Sequence, residues 1–125
     1  MSALRVLVVD DDQGILDFVS DLLTDEGYDV AEAADGAEAL TMAREQPPAL
    51  ILLDMRMPVM DGWQFADKYR AEPGPHAPIL VMTAARDAAD IAADIHAQGY
   101  LAKPFNLDDL LSVVERHARQ QPAST

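Results

Sequence analysis

Short apolar runs recur along the chain at LRVLVV (4–9), YDVAEA (28–33), ALILLD (49–54), PILVMT (78–83) and GYLAK (99–103). Their length and their Val, Ile and Leu content predict strands. The segments between them carry apolar positions at helical spacing instead. Ile15, Phe18, Val19, Leu22 and Leu23 mark one such face, ending before Gly27, which is expected to cap the helix. Ala88, Ile91, Ala92 and Ile95 mark a later one. Leu107, Leu110, Leu111 and Val114 mark the last, with Asn106 placed to cap its start.

Strands alternating with helices predict an α/β fold, a doubly wound parallel sheet covered on both faces. The first, third and fourth strands are nearly all apolar, as central strands should be. The more polar YDVAEA and GYLAK suit the two edges. REQPPA and AEPGPHAP, rich in Pro, read as loops. Residues 1–119 are expected to form one domain, with 120–125 a flexible tail or linker stub.

Composition narrows the picture only a little. The chain has no cysteine, which excludes disulfides and thiolate metal sites. No apolar run approaches the roughly 20 residues of a membrane span, so no membrane contact is expected. The start, MSALRVLVV, lacks the length and cleavage site of a signal peptide, and a cytoplasmic location follows as the expectation. Asp and Glu number 22 against 9 Lys and Arg, a formal net charge of -13. A phosphate backbone would be repelled by such a surface, so no direct contact with nucleic acid is expected.

The polar residues at the strand ends change the picture far more. In open parallel sheets, ligands bind beyond the carboxyl ends of the strands. The first strand is followed there by Asp10, Asp11 and Asp12, and the third ends in Asp54. The fourth ends in Thr83, the fifth in Lys103-Pro104. Asp10, Asp11 and Asp54 should converge if the first and third strands are neighbours. Their mutual repulsion must be relieved by raised pKa values or by a cation. An oxygen-only donor set suits a hard ion, Mg²⁺ above all. With the Lys103 ammonium and the Thr83 hydroxyl, the crevice could hold the oxygens of a transferring phosphoryl group. Asp54 is then the expected nucleophile, forming an aspartyl phosphate.

VLVVDDD, LLDMRMPVMDG, VMTA and YLAKPF stand in the order and near the spacing of response-regulator receiver domains. Over residues 4–118 the chain resembles that family, the phosphoacceptor half of two-component signalling. The resemblance implies the strand order 2-1-3-4-5. It assigns Asp54 as phosphoacceptor, Asp11 as direct Mg²⁺ ligand, and Asp10 as the other half of the acidic pair. The backbone carbonyl of Arg56 completes the metal site. Thr83 and Tyr100 become switch residues that turn toward the phosphoryl group, and Lys103 the cation that pairs with it. The Lys103–Pro104 bond matches one that is cis in the family.

What the resemblance implies for function is a signalling switch rather than an enzyme with a separate substrate. The donor would be a sensor histidine kinase or a histidine phosphotransfer protein. The readout would be a downstream protein target on the surface of the fourth helix, fifth strand and fifth helix. The molecule would be a monomer or a phosphorylation-linked dimer. Thr83 and Lys103 lie 20 positions apart, less than the family's usual spacing, which predicts a shortened fourth helix or exit loop. Ala85 offers no side chain to position water, and Arg56 could cover the phosphoryl group, so slow self-dephosphorylation is expected. A phosphorylation-independent interaction module is the first alternative, but it predicts loss of Asp54, Lys103 or an acidic-pair residue, and all are present. A nucleotide- or flavin-binding domain is the second; it needs a glycine-rich turn where VVDDDQGI puts carboxylates.

Overall fold

A strand buried on both faces must be apolar at every position, and Val6–Val9 and Leu50–Leu53 satisfy this with exposures of at most 1%. The computed structural model describes residues 4–84 and 86–118. The strands are β1 (Arg5–Val9), β2 (Asp29–Ala33), β3 (Leu50–Asp54), β4 (Ile79–Ala84) and β5 (Gly99–Lys103). The helices are α1 (Gln13–Asp25), α2 (Gly36–Glu45), α3 (Gly62–Ala71), α4 (Ala88–Asp94) and α5 (Leu107–Ala118). All strand pairs are parallel, in the order β2-β1-β3-β4-β5. The polar runs lie at the edges, and the apolar runs at the centre.

Alternation along the central strands divides the core into two layers. Leu7, Val9, Ile51, Leu53, Ile79 and Val81 pack with Leu40, Phe65 and Ile91 of α2, α3 and α4. Val6, Val8, Leu50, Leu52, Leu80 and Met82 pack with Val19, Leu110 and Val114 of α1 and α5. Met55 and Met57 fill the first layer as gap-fillers, in keeping with their flexible side chains. No helix among the described residues is long and apolar enough to cross a membrane.

Several local expectations need correction. Phe18 and Leu107 are 44% and 43% exposed. The buried stripe of α1 runs through Leu16, Val19 and Leu23, which leaves Phe18 on its flank. There it meets Phe105 at 6.3 Å. Leu107 opens α5 before the helix reaches the sheet. The C-cap of α1 is Glu26, and Gly27 follows it at φ 94. The Gly27 N–H donates to Thr24 O at 3.0 Å and the Tyr28 N–H to Leu23 O at 3.0 Å, the paired bonds of a Schellman ending. Asn106 does cap α5, accepting from the Asp109 N–H at 2.9 Å. Helix α4, between Thr83 and Lys103, is seven residues long. Ala85 and the expected tail, 120–125, lie outside the described residues.

Candidate functional site at the carboxyl end of the sheet

The pairing of Val9 with Leu53 brings the next residues of both strands, Asp10 and Asp54, side by side. Asp12 takes the capping duty at α1, accepting from the Gly14 and Ile15 N–H groups at 2.8 and 3.3 Å. Asp10 and Asp11 are thereby left for other work. On the other side, Gly62 lets the start of α3 close onto the Asp54 backbone. A Cβ at Gly62 would stand 2.9 Å from Asp54 O and 2.5 Å from Met55 Sδ, so no side chain fits there. The Gly62 N–H donates to Met55 O at 2.9 Å, and Asp61 with Gln64 closes a capping box beside it.

Carboxylate oxygens of Asp10, Asp11 and Asp54 lie within 4.8 Å of one another, the one cluster of potential metal ligands among the described residues. His76, His96 and His117 take no part in it. Lys103 bridges the pair, donating from Nζ to Asp10 Oδ2 at 2.9 Å and to Asp54 Oδ1 at 3.3 Å. The other Asp10 oxygen, Oδ1, accepts from the Asp12 N–H at 2.9 Å. Burial and the neighbouring Asp10 charge push the Asp54 carboxyl up to about 6, although Lys103 pulls the other way. For Lys103, burial favours the neutral amine, but hydrogen bonding to Asp10 and the two carboxylate charges outweigh it, and its pKa rises. The two shifts belong together. One ammonium stays charged while serving two carboxylates, and it cannot neutralise both. This oxygen-only set of three carboxylates, served by a single ammonium, fits a hard metal ion.

Thr83, 5% exposed, stands on β4 one residue beyond Met82, the register partner of Asp54. The Lys103–Pro104 peptide bond is cis. Tyr100 is separate from this group: it lies on the edge strand β5, 47% exposed. Arg56 is exposed in the β3–α3 loop, and its guanidinium lies 5.8 Å from the centroid of the Trp63 ring. Trp63, on α3, is partly buried and packs against the first core layer. Nothing in the spacing of residues 56 and 63 announces that contact, because the loop between them sets it.

Comparison with known proteins finds the same fold and a matching family. The family model for the response regulator receiver domain matches residues 6–115. The chain is 37% identical over 118 residues to the DNA-binding response regulator MtrA of Mycobacterium tuberculosis, covering 93% of this chain and 51% of that protein. It is 39% identical over 114 residues to the transcriptional regulatory protein PdtaR of the same organism, covering 89% and 55%. Among solved structures, the chemotaxis protein CheY4 of Vibrio cholerae is similar with a TM-score of 0.78 at 35% identity, covering 93% of this chain and 99% of that one. The chain spans about half the length of the curated relatives it matches. MtrA, being DNA-binding, overturns the expectation of no contact with nucleic acid. That expectation took the charge of -13 on these 125 residues as a guide to the protein's partners. Charge repels phosphate only at the surface that carries it, and the relatives have as much chain again outside the match.

Proposed function

This chain belongs to the response regulator receiver domain family of two-component systems, and from that premise we propose that Asp54 is its phosphoacceptor. The observation that carries this reading is the Lys103 bridge between Asp10 and Asp54 beside a third carboxylate. A lysine spent on structure alone needs one partner. This one is shared, at the end of a crevice where a phosphoryl group would bring its own oxygens.

In the reaction, an Asp54 carboxylate oxygen bonds to phosphorus as the donor's P–N or P–O bond breaks. The donor is a phosphohistidine on a sensor kinase or phosphotransfer protein, or a small acyl phosphate. The leaving imidazole takes a proton from solvent, whereas a leaving carboxylate keeps the electron pair without one. Lys103 moves its donors from Asp54 to the new phosphoryl oxygens, and the Thr83 hydroxyl supplies another donor there. Asp10, Asp11, Asp54 and the Arg56 carbonyl would hold Mg²⁺, whose charge offsets the crowded oxygens of acceptor and donor. The domain turns over no separate substrate, so it is a switch and not an enzyme.

Population then shifts toward an active form through Thr83 and Tyr100, read on the α4–β5–α5 surface. The domain is read as residues 1–119 and as cytoplasmic, the compartment in which its phosphodonor would act. The test is intact mass after incubation with acetyl phosphate and Mg²⁺, beside Asp54→Asn. One added phosphoryl group, dependent on Mg²⁺ and absent in the variant, is expected. No adduct in the folded wild-type protein would return the chain to the interaction-module reading.

A further inference from the structure

Arg56 stands at the mouth of the site, yet among the described residues its guanidinium forms no ion pair. Carboxylates are at hand. Asp11 and Asp61 line the same open pocket of about 320 Å³. The guanidinium instead lies over the Trp63 ring, 5.8 Å from its centroid. A ring face attracts the cation through its quadrupole and engages none of the guanidinium N–H donors in a conventional hydrogen bond. Arg56 is thus held, but not spent.

Phosphorylation of Asp54, two residues away, changes the competition for that cation. A phosphoryl group replaces one carboxylate charge with about two and adds three acceptor oxygens. Arginine binds such oxygens through paired, charge-assisted hydrogen bonds, which exceed an exposed cation–π contact in strength. Loss of the phosphoryl group requires a water oxygen to attack phosphorus. The P–O bond to Asp54 then breaks, its electrons return to the carboxylate, and the water's oxygen leaves as part of inorganic phosphate, its two protons staying on the phosphate or passing to solvent. A guanidinium lying on the phosphoryl oxygens obstructs that approach.

We propose that Trp63 is a positioning residue that holds Arg56 in reserve, and that competition between ring and phosphoryl oxygens sets the lifetime of phospho-Asp54. The proposal rests on the phosphoacceptor reading above. Removing the ring frees Arg56 for the phosphoryl group, so Trp63→Leu should lengthen the lifetime. An exposed cation–π contact is worth roughly a two- to fivefold effect.

The measurement is decay of the phosphorylated mass after acetyl phosphate is removed, in wild type, Trp63→Leu, Trp63→Phe, Arg56→Gln and the double variant Arg56→Gln with Trp63→Leu. Trp63→Phe keeps an aromatic ring in a partly buried place and should give the same sign at smaller size. Arg56→Gln should shorten the lifetime, and in that background Trp63→Leu should do nothing. Trp63 is the only tryptophan of the chain, so its emission should change on phosphorylation in wild type and stay constant in Arg56→Gln. An adduct that decays no more slowly without Trp63, or a Trp63→Leu effect that survives Arg56→Gln, would overturn this proposal alone. A wild-type protein that accepts no phosphoryl group would overturn both readings.

Discussion

The carboxyl ends of β1 and β3 and the flank formed by β4, α4 and β5 are built to different standards. Every residue of β3 is buried, α1 starts on a side-chain cap from Asp12, and α3 starts on a full capping box. Beyond β4, whose first five residues are buried, the flank has none of this. Helix α4 is seven residues long, Asp87 at its start makes no capping hydrogen bond, and β5 is an edge strand with Tyr100 half exposed. A helix of that length has no stability of its own and depends on packing. One tether reaches it from α3, where Arg70 donates to the carbonyls of Ile95 and His96 at its exit. The difference runs through the site itself. The carboxylates of Asp10 and Asp54 are thus preorganised by backbone, whereas Thr83 and Lys103 reach the same crevice from strands flanked by the weakly held α4.

That contrast can be broken most directly by removing matched aliphatic side chains from the two regions. Leu52 is fully buried at the centre of β3, and Ile91 is 6% exposed on α4. Leu52→Ala should cost about 4 kcal/mol in urea unfolding at pH 7, and Ile91→Ala about 2 kcal/mol or less, since the thin helix can settle into the space. Equal losses would mean that the flank is as rigid as the centre.

Asp54 sharpens the contrast from the other side, because the preorganised end carries a cost. Its carboxyl, pushed up to about 6 in the folded protein, resists ionisation that the unfolded chain allows near 3.8. Between those values the folded state binds more protons than the unfolded one, so stability falls as pH rises through the window. Asp54→Asn has no such group to titrate. At pH 7 the variant should be more stable than wild type by up to about 3 kcal/mol, and the gain should vanish below about pH 4. Thermal melts across that range check the sign. Mg²⁺ should shrink the gain at pH 7 by stabilising wild type, because an ion that binds the folded form alone stabilises it.

How far this was legible in the sequence follows from the same physics. Strands β1, β3 and β4 announced themselves because burial on both faces demands unbroken apolar runs. Asp10, Asp11, Asp54 and Lys103 were legible because strand ends in a parallel sheet share one crevice. Phe18 and Leu107 were misplaced because helical spacing marks a broad face, while contact with the sheet uses a narrower stripe. Helix α2 left little periodic signal, since much of its buried face is the small residues Ala39 and Ala43. The Arg56–Trp63 contact depends on the path of a loop, which no spacing encodes. Acidic composition misled most, having been stretched from one domain's surface to a claim about partners.

The smallest test of the contrast compares two aspartates that look alike in sequence. Asp61 and Asp87 each stand just before a helix, where Asp is favoured. The Asp61 side chain accepts from the Gln64 N–H at 2.9 Å, and the Gln64 side chain returns the bond to the Asp61 N–H at 3.1 Å. Asp87 has helical backbone angles, φ -106 and ψ -9, in place of the extended ones a capping residue takes, and its side chain makes no capping hydrogen bond. A capping bond lost from an exposed helix start costs about 1 kcal/mol, so Asp61→Ala should lower stability by about that much. Asp87→Ala should change it by less than about 0.5 kcal/mol, keeping only a weak favourable charge near the helix start to lose. Urea midpoints measured side by side resolve a difference of this size. Should Asp87→Ala cost as much as Asp61→Ala, the start of α4 is capped in solution, and the flank owes its looseness to something other than a missing cap.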